Sequence, residues 1–466
     1  MVDQQNPAPS AHDFATWAPL LRLLRAAHAE RLAVPGARVV GSIGQGGWSV
    51  PLKRRSPPPG RAAQIEDMQE EYDAVERVRD ALATDGVDGV SFAVEVEPTG
   101  RTLLHLLGPN AAVGPGSGVH PGALLLVEGA LPEPWRRLPD PAPGAVTAAS
   151  ADPVLLERTL RERLPGAVGA TEAEIAAAEA RLGIPLPDEL AALYRVTRAD
   201  WKDWENDEEA DRRHCEAARC ELFGLADLYV AEATDRYCVW QFAAMEAIDN
   251  RPDAAVQGLV GSPGWIVFGH NGGGDLLAVD LTPGPGGHTG QVIFLSHEEN
   301  IGATLVADSL TDLILDRRSA QATTGEAGKP PAVAWVNASS LRSVEAAAHP
   351  GLEAVSIGVW DGPPFSLAPL RGLPRLRTLT AYPDTLADVL EIAELNGLEF
   401  LQLAPQDWRT LLDARAVPPG LLAAHIEAHH DADPLAVADL ADELLALWNR
   451  PLITRTVVEG DLGPVR

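Results

Sequence analysis

The chain has 466 residues with the composition of a globular protein, 46% hydrophobic and 22% charged, and a formal net charge of −29. Its length allows about three domains of ordinary size. The charge argues against a general nucleic-acid-binding role, which depends on Lys and Arg neutralising phosphates, and fits a soluble protein or one whose partner is basic.

Cysteine is sparse and odd in number (Cys215, Cys220 and Cys238), which implies a reducing compartment and no disulfide framework. Met1 to Ser10 lacks a basic stretch followed by an apolar one, and no uncharged apolar run has the length that spans a bilayer. A cytoplasmic location and no membrane partner are expected. Lysine occurs only at 53, 202 and 329 amid abundant Arg, Ala, Gly and Pro, a usage that points to a GC-rich bacterial genome.

Residues 1 to about 12 read as a disordered tail. Phe14, Trp17, Leu20, Leu21 and Leu24 recur at helical spacing, which predicts an amphipathic helix to about Glu30. Val34 to Val50 reads as a weak strand pair around Gly41, Gly44, Gly46 and Gly47. Lys53-Arg54-Arg55 reads as solvated linker charge in a proline-rich loop. A second helix is marked by Ile65, Met68, Tyr72, Val75, Val78 and Leu82. Val90 to Glu97 alternates as a half-buried strand, and Arg101 to Leu107 pairs with it across Pro98-Thr99-Gly100. Gly122 to Glu128 is read as a third strand of the same small α+β unit, about 60 to 140. Pro139 to Ala151 reads as a first linker, and Val154 to Leu164 as a short helix.

Thr171 and Glu174 form the pattern of a capping box, Ile175, Ala178 and Leu182 give an apolar stripe, and Gly183 ends the helix. A second helix follows from Asp188 to Val196 with Leu190, Leu193 and Tyr194 inward. Trp265 to Phe268, Leu276 to Leu281 and Gln291 to Leu295 read as an antiparallel meander. Its connections are His270 to Asp275 and Thr282 to Gly287, where glycine supplies the reversals. The glycines do not make a phosphate loop, because no helix, Lys or hydroxyl follows them and Asp275 would repel phosphate.

The run TEAEIAAAEARLGIPLPDELAALYRVT resembles the start of a SUKH-superfamily (Smi/Knr-type) domain, carried by Glu179, Leu182, Gly183, Leu186, Pro187, Leu190 and Tyr194. The meander resembles that family's core, with Gly273, Gly274 and Asp280 as its recognisable positions, and Asp308 to Leu313 resembles its closing helix. The resemblance covers about 160 to 318. It implies an α+β fold with a central antiparallel meander packed with helices, and it implies action by binding. The superfamily includes a fungal cell-wall regulator domain and many bacterial toxin-immunity proteins.

The chain departs from the family after Tyr194, with an insert from Arg198 to Glu209. Trp201, Asp203, Trp204, Glu205 and Asp207 are its candidate partner-binding residues, since tryptophans anchor interfaces and acids select a basic partner. The competing reading packs both tryptophans inward and leaves the acids as solvated loop charge.

Ser319 to Pro331 reads as a second linker. Beyond it Leu352-x-x-Val355-x-Ile357, Leu376-x-x-Leu379-x-Ala381 and Leu398-x-x-Leu401-x-Leu403 repeat, with a weaker copy at Val333-x-x-Val336-x-Ala338. This resembles a short leucine-rich-repeat array, capped after Trp408 by a helix carrying Leu435, Leu440, Leu444, Leu445 and Trp448. The expected division is 13–140, 152–318 and 332–450.

No nucleophile with a placed base and no cofactor fingerprint stands out, so no enzyme activity and no cofactor are expected. His214, Cys215 and Cys220 lack paired ligand spacing, and His425 and His429 lack the zincin Glu, so no metal is expected. The leading expectation is an immunity-type SUKH protein that binds and neutralises a basic toxin domain such as a nuclease. The alternatives are a regulatory scaffold that gathers partners, and an enzyme hidden in the 60 to 140 unit.

Overall fold

The structure, a computed structural model, describes residues 10–53, 64, 68–114, 122–142, 144–204, 207–247, 253–317, 331–428 and 432–464. The expected tail before residue 10, Ile65, Arg54 and Arg55, most of the second linker, Glu205, His429 and His430 lie outside the described residues. The chain combines helices with antiparallel and mixed sheets, consistent with an α+β fold. The chain divides into two compact units, one of Leu131–Ala334 with His349–Ala354, the other of Met1–Ala130, Trp335–Ala348 and Val355–Arg466.

After a short helical turn at Glu133–Arg136, the first of these carries helices α1 (Pro153–Arg163), α2 (Glu172–Leu182), α3 (Asp188–Val196) and α4 (Glu208–Ala218). Thr171 caps α2 in a full capping box with Glu174, and Gly183 stops it at φ 74. Short strands β1 (Glu221–Leu222) and β2 (Tyr229–Val230) lead to the meander β3 (Trp265–His270), β4 (Leu276–Asp280) and β5 (Gln291–Leu295). Strand β6 (Thr304–Ala307) and helix α5 (Leu310–Ile314) follow. The sheet order is β6-β5-β4-β3-β1, with β2 also pairing β3, and every described pairing is antiparallel.

Both faces of this sheet are covered, which is why its strands read as continuous apolar runs. Ile266, Phe268, Leu277, Val279 and Val292 pack with Leu190, Leu193 and Tyr194 of α3. Trp265, Val267, Ala278 and Ile293 pack on the other side with Ala231 and Leu259. The first expected linker is anchored to this unit, since Asp140 N donates to Gln257 Oε1 at 2.8 Å and Thr289 N to Val146 O at 3.1 Å.

The glycines of the second connection act differently from the expectation. A Cβ on Gly284, Gly286 or Gly287 would fall 2.1 to 2.2 Å from the carbonyl oxygens of Ala254, Asp253 and Ala255, and none of the three has positive φ. They let the 253–255 backbone lie against the turn, where Gly284 N donates to Ala255 O at 2.8 Å.

In the other unit, Val39–Gly44, Gly47–Ser49, Gly89–Val96 and Arg101–Leu107 form an antiparallel sheet, with Phe14–Ala27 and Gln69–Thr84 packed on it. Arg455–Asp461 completes that sheet as an edge strand. The repeat segments form the strands Val333–Val336, Ala354–Ile357, Thr378–Ala381 and Phe400–Leu403 of a second sheet, with Leu379 and Leu401 fully buried.

Two elements correct the sequence reading. The sheet does not end after Trp408: Ala423–Ile426 adds a further parallel strand, introduced by Leu421, which falls 23 residues after Leu398. The strand at Ala123–Leu126 belongs to this sheet, antiparallel to Ala423–Ile426, and not to the sheet of Gly89–Val96 and Arg101–Leu107. Nothing local distinguishes those partners, because an apolar strand fits either sheet edge.

One side chain ties the helical layer together. Glu189, 7% exposed, accepts from Leu310 N (3.0 Å), Thr311 N (3.1 Å) and Asp152 N (3.2 Å), the leading backbone donors at α5 and α1, and from Thr311 Oγ1 (2.5 Å). Glu189→Ala is expected to lower the unfolding free energy by about 3 kcal/mol, because buried donors lose a charged acceptor. Glu189→Gln should lower it less. Guanidinium denaturation followed by tryptophan fluorescence checks this, and a loss below about 0.5 kcal/mol would mean that these bonds do not bear on stability.

Candidate functional site: a SUKH-type domain and its insert

The buried centre of the site is Asp280, which has no exposed surface. Register places it directly opposite Trp265 on β3 and Gln291 on β5, so the three side chains share one face of the sheet. Trp265 Nε1 donates to Asp280 Oδ1 at 3.1 Å, Gln291 Nε2 to Oδ2 at 2.9 Å, and Thr282 N to Oδ1 at 2.7 Å. Burial pushes the Asp280 carboxyl up to about 6, against the lowering effect of the Gln291, Thr282 and Trp265 bonds.

The other family positions are equally structural. Tyr194 is fully buried and donates from its hydroxyl to Phe223 O at 2.8 Å, while burial raises its pKa well above the usual value. Leu190 is fully buried, Leu182 packs at the edge of the core, and Pro187 takes the N-cap position of α3. At the hairpin tip, Asn271 Oδ1 accepts from Gly273 N (2.8 Å) and Asp275 N (3.2 Å), so Gly273 closes an Asx-type turn. Gly274 is at φ 99 and faces His297, whose Nδ1 lies 2.8 Å from Asp275 Oδ1. The His297 backbone N–H and ring hold the Asp275 carboxyl below its usual range.

The insert begins where α3 ends. Its backbone makes a 3-10 turn, Trp201–Trp204, before α4; the side chains of both tryptophans lie outside the description. Asp203 is 12% exposed and is gripped by Arg198, with Nε to Oδ2 at 2.7 Å and a second bond to Oδ1 at 2.5 Å. The Arg198 guanidinium holds the Asp203 carboxyl below its usual range. Asp207 accepts from Glu209 N at 3.0 Å and so caps α4. Two of the acids singled out in the insert thus have partners within the domain, Asp203 largely buried and Asp207 exposed.

Two clefts flank the turn. One, of about 520 Å³, is lined by Gly166, Val168, Asp203, Asp207, Arg213 and His214. The other, of about 500 Å³, is lined by Glu174, Ala178, Arg198, Asp200, Lys202 and Leu225. Both mix apolar floor with charges of either sign, a lining suited to side chains of a protein partner. Sequence reasoning missed Glu189 as a buried carboxylate, and Trp265 and Gln291 as the partners of Asp280. The signal for Glu189 was an acid within the apolar stripe of α3, beside Leu190.

The thiols behave as core atoms. Cys220 is buried behind Gly269, and burial pushes it up to about 12 and Cys238 to about 11. His425 lies on a strand of the other unit with Nδ1 2.9 Å from Gln402 Oε1, and burial lowers it to about 4. Among the described residues no three His, Cys, Asp or Glu side chains gather as metal ligands, and no helix is long and apolar enough to cross a membrane.

Residues 169–316 match the SMI1 / KNR4 family (SUKH-1), so about a third of the chain is a domain of that family. Over 67 residues the chain is 39% identical to the glucan synthesis regulatory protein of Neurospora crassa, covering 14% of this chain and 13% of that protein. Over 123 residues it is 31% identical to the cell wall biosynthesis/cell cycle regulator smi1 of Schizosaccharomyces pombe, covering 26% and 21%. The chain thus spans about a fifth or less of the length of these curated relatives. They are fungal proteins named as regulators; the expected immunity role and bacterial origin gain no support from them.

The Asp280 carboxyl titrates higher folded, about 6, than unfolded, 3.8, so folding takes up a proton between about pH 4 and 6. Its contribution to stability is greatest below pH 4 and falls as pH rises to 6, by up to about 3 kcal/mol. In Asp280→Asn this dependence should vanish. Denaturation of both proteins from pH 4 to 7 checks it: the stability difference, wild type minus variant, should shrink as pH rises. A constant difference would contradict the assignment.

Proposed function

We propose that the protein is a non-enzymatic regulatory scaffold that acts by binding proteins through its SUKH domain. The observation that carries this reading is the SMI1 / KNR4 match over 169–316, with relatives named as regulators of glucan synthesis and of cell-wall biosynthesis and the cell cycle. The buried positions of the family motif support it as well, since they leave recognition to the surface. The candidate surface is the insert, whose sequence carries Trp201, Asp203, Trp204, Glu205 and Asp207, together with the two clefts, of which Asp203 and Asp207 line one. The regions 13–140 and 332–450 flank the domain at 152–318 and give a scaffold further surface for other partners.

The toxin-immunity reading, with a basic toxin as partner, rests on the net charge of −29 and the acidic insert. Two engaged acids, Asp203 and Asp207, weaken it, and the relatives' names favour regulation.

Affinity capture from the native organism, with the full chain and its Trp201→Ala/Trp204→Ala variant as baits, separates these readings. A scaffold should capture two or more proteins, with only a subset reduced about tenfold in the variant. Capture of one basic toxin-like protein, lost in the variant, would establish immunity instead. Absence of any specific partner would overturn the binding function.

A further inference from the structure

The edge strand Arg455–Asp461 covers the edge of Arg101–Leu107 along seven paired positions, from Arg455 opposite Leu107 to Asp461 opposite Arg101. Its hold on that edge is self-contained. Main-chain pairing runs on past both ends, with Gly108 N donating to Thr454 O at 2.8 Å and Leu462 N to Gly100 O at 2.9 Å. Val458 and Leu462 are its core side chains, at 6% and 8% exposure, whereas Val457 is 51% exposed.

Specific contacts fix the register. Arg455 bonds Asp439 and Asp442, each at 2.5 Å, and Arg101 reaches Glu459 at 3.3 Å. Arg25 NH1 donates to Gly463 O at 2.7 Å. Gly460 faces the Phe14 ring so closely that a Cβ would sit 2.2 Å from it, so any larger residue there requires the ring to move. These determinants lie within residues 453–463, so a short extended segment carries the full recognition set. Three side chains of the segment, Ile453, Val458 and Leu462, enter the core, and the rest of its hold is main-chain pairing and surface contacts.

We propose that the edge of Arg101–Leu107 is a strand-accepting seat, with Arg455–Asp461 as an exchangeable clasp that the same segment of a second copy can replace. The mode is strand addition: main-chain bonds supply affinity, and the Val458 pocket, the Gly460 gap and the Arg455 and Glu459 ion pairs supply selectivity. In the intact chain the clasp is favoured by its high effective concentration, so the seat opens only when the clasp is displaced.

The test uses the full chain with a site-specific protease sequence inserted between Asn449 and Arg450, cut after purification. The probe is a fluorescein-labelled peptide of residues 452–464. The nicked protein should keep its circular dichroism and take up the peptide in gel filtration and anisotropy, whereas the uncut chain should take up little. Peptides carrying Gly460→Val or Val458→Asp should bind at least about tenfold more weakly. The proposal is overturned if the nicked protein takes up no wild-type peptide, if the Gly460→Val peptide binds equally well, or if cutting unfolds the sheet.

Discussion

A carboxylate without exposed surface, Asp280, fixes the register on which the SUKH domain depends. It lies between Trp265 and Gln291 in one cross-strand row, so a one-residue shift of β3 or of β5 against β4 would turn Trp265 or Gln291 to the opposite face and remove that donor. Burying a carboxylate is costly unless its oxygens are satisfied, and here both are, by an indole, an amide and a backbone N–H. Glu189 solves the same problem in the helical layer with the backbone donors at α1 and α5. The sheet and the helices on it are therefore specified by polar contacts within an otherwise apolar core.

That arrangement clarifies what the family motif encodes. Leu190, Tyr194 and Asp280 are buried, and the turn glycines serve the hairpin. The motif specifies the packing of the domain, and the proposed selectivity falls to the surface, chiefly the insert between α3 and α4. Even there, Arg198 and the α4 N-terminus engage Asp203 and Asp207, so composition alone overstated the free negative charge.

Much of the fold was legible because its signals are local. The capping box at Thr171, the stop at Gly183, the period of α3 and the three meander strands all rest on neighbours in sequence. The repeat spacing likewise located the strands at Ala354–Ile357, Thr378–Ala381 and Phe400–Leu403. What escaped depends on distant partners. Ala123–Leu126 crosses to the repeat sheet, and Arg455–Asp461 returns to the sheet of Gly89–Val96. Ala423–Ile426 was missed because Ala424 stands where the earlier copies carry Val355, Leu379 and Leu401. Gly284, Gly286 and Gly287 signal a close approach to residues 253–255, which no local pattern reveals. At the site, the turn and its acids were readable, but their internal partners and the flanking clefts were not.

The central claim is that a domain held rigid by buried carboxylates presents its insert surface to a protein partner. Hydrogen–deuterium exchange of the full chain, alone and with a captured partner, tests it most directly. Slowed exchange is expected across 198–203, 207–214 and 224–227, which hold cleft-lining residues, with unchanged exchange in the buried strand Trp265–His270. Protection confined to residues outside 152–318 would contradict it.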